Sequence, residues 1–527
     1  MDPSPVSRLP AEVLCLIFLA CARETRPTFL IHRRSQRLVQ RKSGSGWLDV
    51  TQVCRTWRRA ALGYPVLWSS GDLPLDMGQT WAREISARAG TTTIKVCLTF
   101  ADFEPHGIPA WVQELLRDDL HRIGELRVDR GEDTAYRTIE GLGGEAPRLT
   151  AISLSFVNPR TFVPNSKLCD LLNAPTLQSI ALDKVQCELS ELVWPHLRHL
   201  AIHRTNVDPA HALRALSTAP VLETLSMNQL MTSRESPRIS NRVHLPNLVE
   251  MNVIGEEPAV FDLWRNLELP SLVKLNVALF RNSHHLDADR MIFLLGLTRT
   301  HLLRAEASGR TLVKFIIDFS ASTTMRVYCS FNPLKPFTQS NADDTIFFLY
   351  IGNPLTQPAE RVGLEQIIQA LPLGHCEVLD LSCQSYVIPG RGDPWSFETW
   401  SAVAPRATCV HTLRVSGPHA SALAKAARAS LEGDAPVIMF PFLQHLYLYS
   451  VPFGSGDSGQ DLTESEIPQL CTDLVAWMKL RKDRGVTPIR KLVIRECDLY
   501  ADWLAAFEDI EDLRVEWDND SGELKRV

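Results

Sequence analysis

The chain has 527 residues, too many for one hydrophobic core, so several domains or a repeat array are expected. Its 55 basic and 61 acidic residues leave a net charge of −6, which argues against bulk attraction to nucleic acid or to an anionic membrane. No apolar run reaches the ~18 residues needed to cross a bilayer, and the 12 cysteines include no CxxC pair. Unclustered thiols of this kind suit a reducing compartment. The expectation is therefore a soluble intracellular protein, cytoplasmic, nuclear or both.

The run Leu9-Pro10-Ala11-Glu12-Val13-Leu14-Cys15-Leu16-Ile17-Phe18 reads as a short amphipathic helix. Pro10 suits a first helical turn, where its missing N–H costs nothing. Val13, Leu14, Ile17, Phe18 and Cys21 recur at three- and four-residue spacing as one apolar stripe. A second helix is expected around Val53, Trp57 and Ala61, with Arg55, Arg58 and Arg59 turned elsewhere, and a third piece at Pro65–Trp68. So few residues cannot close a core alone and must bury their apolar surface against something. A signal peptide cleaved after Ala20-Cys21-Ala22 is the rival reading, but Asp2 and Glu12 sit poorly in a leading region and the Trp57 helix stays unexplained. Between the helices, His32–Arg37 and Arg41–Gly46 are basic and Gly/Ser-rich, read as a solvated loop ahead of a nuclear address.

Taken together, Leu-Pro-x-Glu-Val-Leu-x-x-Ile-Phe, Val-Cys-x-x-Trp-Arg and Pro-x-Leu-Trp resemble an F-box of the fungal type over residues 7–72. The basic insertion 23–46 is long for that family. The resemblance implies docking on a Skp-type adaptor, and through it on a cullin scaffold. It also implies that Leu9, Pro10, Val13, Leu14, Ile17, Phe18, Val53, Trp57, Leu67 and Trp68 lie in or beside the contact.

After Trp68 a repeat emerges: an apolar residue, two variable, an apolar, one variable, an apolar. It fits Ile123-Leu126-Val128, Leu149-Ile152-Leu154, Leu177-Ile180-Leu182, Leu197-Leu200-Ile202, Leu222-Leu225-Met227, Leu248-Met251-Val253 and Leu272-Leu275-Val277. Pro147, Pro175, Pro195, Pro220, Pro246 and Pro270 each stand two positions before the first apolar residue. The last three template positions alternate like a short strand, and the proline enters where no ladder donor is needed. Asp208-Pro209 opens a helical return segment. Units of this kind bury their apolar residues only by stacking, with strands parallel.

These residues resemble leucine-rich repeats, clearest over 90–300, except that the Asn or Cys expected eight positions after the first leucine is replaced by Val157, Val185, Thr205, Leu230, Glu256 and Phe280. The usual Asn ladder is therefore not expected there, and the array should be irregular. Beyond 300 the template recurs at Leu312-Phe315-Ile317, Cys376-Leu379-Leu381, Val410-Leu413-Val415, Leu443-Leu446-Leu448, Ile489-Leu492-Ile494 and Ile510-Leu513-Val515, with helices at Glu360–Leu371, Ala420–Leu431 and Glu466–Leu480. The last should open with the capping-box pattern Thr463–Glu466.

The expected fold class is α/β: a small helical F-box over 1–72, then an irregular leucine-rich-repeat-like solenoid with parallel strands and helical return segments. Its regular part runs over 73–300, a continuation with longer insertions over 301–517, and a polar tail over 518–527.

No segment of the sequence combines the residues of a catalytic centre. Gly456-Asp457-Ser458-Gly459 matches a serine-protease tetrapeptide with none of its companions, and Arg391-Gly392-Asp393 reads as a turn. His284 and His285 with Asp287 and Asp289 give no coherent metal geometry. No catalytic residue, metal or cofactor is expected, and neither nucleic acid nor membrane as partner. The resemblances imply a substrate-receptor subunit of a Skp–cullin–F-box ubiquitin ligase, the alternative being a repeat scaffold or inhibitor outside any ligase. Target contact is expected on the outward strand positions, at Arg204, Asn228, Asn252, Asn276 and Arg281, with the loops Pro389–Pro394 and Pro452–Glu464 as a second surface.

Overall fold

The computed structural model describes residues 9–25, 46–99, 108–131, 133–142, 144–161, 167–231, 242–280, 288–307, 314–320, 324–330, 345–352, 371–383, 397–417, 419–432, 438–453, 467–497 and 499–518. They fall into two compact units, Met1–Met251 with Asp262–Ser271, and Asn252–Phe261 with Leu272–Val527. Each combines helices with a mainly parallel sheet, an α/β architecture.

The first unit opens with helices Ala11–Glu24, Arg55–Leu62, Pro65–Ser69 and Gln79–Ala89, and a 3-10 turn at Gly46–Gln52. Pro10 stands at the N-cap, one position earlier than expected, and Pro65 occupies the first helical turn. Cys54 caps the second helix, its Sγ accepting from the Trp57 N–H at 3.5 Å. Gly90, at φ +57, ends the fourth where a side chain would be strained.

Strands β1 (Ile94–Thr99), β2 (Ile123–Gly131), β3 (Ala151–Thr161), β4 (Ser179–Gln186), β5 (His199–His203) and β6 (Thr224–Leu230) then lie parallel in chain order. The sequence template sits on this sheet in register. Leu126, Ile152, Ile180, Leu200 and Leu225 form one column, and Val128, Leu154, Leu182, Ile202 and Met227 another. All ten are at most 2% exposed. Asp208 caps Pro209–Leu216 as expected, accepting from the Ala210 N–H at 2.8 Å. β7 (Val243–His244), β8 (Glu250–Glu256) and β9 (Leu267–Glu268) follow, β7 pairing in parallel with β9.

Two backbone devices recur along the parallel strands. Just before each strand one carbonyl accepts two N–H groups from the next unit: Thr150 from Gln178 and Ser179, Gln178 from Arg198 and His199, Arg198 from Glu223 and Thr224. Toward the end of the strand or directly after it, Lys184, Arg204, Gln229, Ser450 and Glu496 hold positive φ between 48° and 72°. These five occupy one template position, seven after the first apolar residue. At the next position a side chain completes the turn in two places, though neither is an asparagine. Thr205 Oγ1 accepts from the Val185 N–H at 3.1 Å, and Cys497 Sγ from the Val451 N–H at 3.3 Å. A hydroxyl or a thiol can take the acceptor role of an amide when the backbone comes close enough.

The second unit carries, besides most of β8, strands β10 (Lys274–Phe280), β11 (Lys314–Ser320), β12 (Thr324–Ser330), β13 (Thr345–Gly352), β14 (Val378–Cys383), β15 (Thr412–Ser416), β16 (His445–Tyr449), β17 (Lys491–Arg495) and β18 (Arg514–Trp517). From β14 to β18 the strands are again parallel in chain order. The stretch before them departs from the expected all-parallel array. Its spatial order is β10-β13-β12-β11-β14, with β12 antiparallel to both neighbours. β11 and β12 are separated by three residues, enough for a hairpin and far too few for a parallel crossover.

Helices Ala288–Ala307, Phe397–Val403, His419–Glu432, Gln469–Asp483 and Ala501–Glu508 cover the second unit. The third matches the expected Ala420–Leu431. The fourth starts after Pro468, and the expected capping box at 463–466 lies outside the described residues, as does 360–370. Among the described residues no helix is long and apolar enough to cross a membrane.

Arg481 locks this packing. It is fully buried, and its guanidinium donates to the carbonyls of Thr487 at 2.8 Å, Met439 at 3.0 Å and Phe440 at 3.1 Å, with Leu443 at 3.4 Å. Burial pushes its pKa down to about 10, so the group stays charged at neutral pH. Arg481→Ala removes the donors to five carbonyls, Pro441 included, and should lower the unfolding free energy by about 3 kcal/mol in urea titration.

His301, buried in Ala288–Ala307, supplies a pH prediction. Burial, aided by Arg304, lowers its pKa from 6.5 to about 4. The unfolded chain thus binds the extra proton first, so stability falls as pH drops from 6.5 to about 4. His301→Phe should flatten that part of the pH–Tm curve.

Candidate functional site

The helix Ala11–Glu24 is apolar on two sides and buries only one. At 100° per residue, Leu14, Phe18 and Ala22 share an inward face and are enclosed, while Val13, Leu16 and Ile17 share an outward one. The single stripe read from the sequence therefore divides. Leu16 is 65% exposed and Val53, ahead of the next helix, 59%; Val13, Ile17, Leu62 and Val66 are also exposed.

The inward face is filled by aromatic residues. Phe18 and Trp57 rings meet at 5.1 Å, and Trp47 packs edge-on against Trp68 at 5.1 Å. The Trp68 indole N–H donates to the Ala61 carbonyl at 2.8 Å, and the Arg88 guanidinium lies 4.6 Å over its ring. The Trp47 N–H donates to the Thr25 carbonyl at 3.1 Å, joining the backbone on either side of the long insertion. Residues 26–45 lie outside the described set.

The ten expected adaptor contacts thus separate by role. Leu14, Phe18, Leu67 and Trp68 are enclosed within the unit, so their side chains act through internal packing rather than by touching a partner. Pro10, Val13, Ile17 and Val53 are exposed, and Leu9 and Trp57 are half-buried. Leu16, Leu62 and Val66 also belong with the exposed group, which the sequence pattern does not signal. Leu16 falls outside the three-and-four spacing of the inward face, and the other two stand at helix ends where periodicity gives no signal.

The expected target-contact residues separate as well. In the first unit Arg204 is a turn residue whose guanidinium takes both carboxylate oxygens of Asp183, with Nε to Oδ1 at 2.6 Å. Asn228 is half-buried on β6. The surface between them is small and polar: Ser153, Ala181, Ala201 and Ser226 stand in register, with His203 Nε2 2.8 Å from Ser226 Oγ. Asn252 and Asn276 are half-buried on strands of the second unit. Arg281, the loop 389–394 and residues 454–464 lie outside the described residues, as do 456–459 and 284–287.

A cavity of about 40 Å³ in the first unit, lined among others by Val185, Cys187, Thr205 and His211, has room for about one water molecule. Burial pushes the thiols of Cys187 and Cys471 up to about 12, leaving them protonated and poor nucleophiles at neutral pH. Among the described residues no group of three or more His, Cys, Asp or Glu is placed to hold a metal ion.

No family model matches this chain, and no curated protein matches it in sequence.

The division of the first helix is directly testable. Ile17→Asp and Val53→Asp touch exposed positions and should shift Tm little, whereas Phe18→Ala should cost about 3–5 kcal/mol in chemical unfolding.

Proposed function

We propose that this chain is the substrate-receptor subunit of a Skp–cullin–F-box ubiquitin ligase, its N-terminal helices binding the Skp-type adaptor and its repeat sheets presenting a target. The observation that carries the reading is the exposed apolar set Val13, Leu16, Ile17, Val53, Leu62 and Val66 on a helical segment whose own interior is already filled. Helices with an apolar face and no internal partner for it are built to fill a groove on another protein. The sequence pattern Leu9–Phe18, Val53–Arg58 and Pro65–Trp68 supplies the family resemblance, and the leucine-rich template supplies that of the repeats. A receptor of this class makes and breaks no bond itself. Its contribution is proximity, raising the effective concentration of a target lysine near the conjugating enzyme.

The test is co-purification of the full chain with a Skp-type adaptor. Ile17→Asp combined with Val53→Asp should abolish capture while far-UV circular dichroism stays unchanged. Buried apolar anchors in such contacts are worth ~2 kcal/mol or more each, so the double variant should bind at least about a hundredfold more weakly. Undiminished capture by a folded double variant would overturn the adaptor assignment.

A further inference from the structure

The outward face of β14–β18 carries a surface chemistry unlike that of β3–β6. Register arranges its side chains in three rows. The first holds Thr412, His445, Lys491 and Arg514; the second Asp380, Arg414, Tyr447, Val493 and Glu516; the third Ser416, Tyr449 and Arg495, with Thr412 and Val493 buried beneath their neighbours. Tyr447 and Tyr449 are two apart on one strand, so their rings share a face, with centroids 6.4 Å apart and planes within 3° of parallel. The Arg414 guanidinium lies 5.2 Å from the Tyr447 ring centre and 3.6 Å from the Asp380 carboxylate.

The charges are unbalanced. Lys491 and Arg514 both pair with the one carboxylate of Glu516, at 3.0 Å and 2.9 Å. Arg490 and Arg495 are exposed. Two groups register the resulting positive field. Glu516 is held below the usual carboxylate range by the Lys491 hydrogen bond, with Arg514 and Arg495 adding to it. His445 is lowered by burial first, then by His411, Lys491 and Arg490. Glu377, Glu496 and Asp518 stand at the strand ends, outside the rows, as does Arg490 just ahead of β17.

We propose that this face docks an extended acidic peptide segment, whose carboxylates meet Arg490, Lys491, Arg495 and Arg514 and whose side chains pack on the Tyr447–Tyr449 pair. Charge complementarity selects the class of partner. A nucleic-acid strand also favours cations beside aromatic rings, but its phosphates are evenly spaced, and Asp380 and Glu516 would oppose them in the middle row. A peptide sets its carboxylates at discrete points and leaves these two alone. Tyrosine suits such a surface because its ring offers rigid contact area with few rotors to freeze. The docking itself stands on this surface alone; only identifying the peptide with a ligase target rests on the function proposed above.

The experiment titrates the full chain into a fluorescein-labelled glutamate-rich peptide and follows anisotropy, beside a lysine-rich peptide of equal length and a labelled single-stranded oligonucleotide. The glutamate peptide should bind, and more weakly as salt rises. Arg490→Glu combined with Arg495→Glu should raise its Kd about tenfold or more, and Tyr447→Ala about tenfold, with Arg214→Glu in the first unit as the unaffected control. Thermal melts verify each fold, and Arg495→Gln replaces the double reversal if that variant melts early. Absence of glutamate-peptide binding, equal binding of the lysine peptide, preference for the oligonucleotide, or indifference to the charge change would each overturn the proposal. Adaptor capture is read in a separate assay, so failure here and failure of the ligase reading are distinguishable.

Discussion

A carbonyl shared by two N–H groups, recurring at the start of successive parallel strands, is the constraint on which the sheets depend. One oxygen accepts two successive N–H groups from the next unit, in the first unit through Thr150, Gln178 and Arg198, and in the second through Glu377, His411 and Gln444. This clamp sets the register before the ladder begins. Register then decides everything on both faces, because a slip of one residue would turn every buried leucine outward. The columns Leu126–Leu225 and Val128–Met227 stay closed because each clamp repeats the one before it. On leaving the strand, the positive φ of Lys184, Arg204, Gln229, Ser450 and Glu496 turns the chain away at a fixed template position. That backbone shape costs non-glycine residues free energy, which the stacked columns offset.

With the inward positions committed to the columns, only the outward ones are free to differ. In the first unit they form a small polar surface in which Asp183 is engaged by Arg204 and Ser155, and His203 by Ser226. In the second they become tyrosines and cations on β15–β18. One backbone plan therefore displays two chemistries. Interior and surface are separable in such a sheet, since alternate side chains leave by opposite faces.

The N-terminal helices obey a different economy of space. Phe18, Trp47, Trp57 and Trp68 fill the interior of a segment too short to enclose much else. With Leu14, Ala22 and Leu67 also enclosed, little interior is left, and Leu16, Ile17 and Val53 face outward. Interior and outer face compete for the same short helices, so a residue packed inside supports partner binding only by holding the outer ones in place.

The sequence by itself determined the parallel strands with their buried columns, because a period-two apolar pattern behind a fixed proline has one economical solution. It also determined the helix opened by Asp208-Pro209, since an N-cap acceptor and a proline in the first turn act locally. Tertiary structure alone decided what depends on neighbours distant in the chain. β12 carries an alternating pattern like any other strand, but its antiparallel direction follows from the three-residue link to β11. Arg481 reads as one more charged residue near a helix end, yet it is buried because the carbonyls of Met439, Phe440, Leu443 and Thr487 converge on it. Thr205 and Cys497 become turn acceptors only once Val185 and Val451 of the preceding units are brought beside them. The split between Leu14 and Phe18 inside and Val13 and Ile17 outside was hidden for the same reason: spacing shows that a helix has apolar faces, but only the packing of its neighbours decides which face they cover.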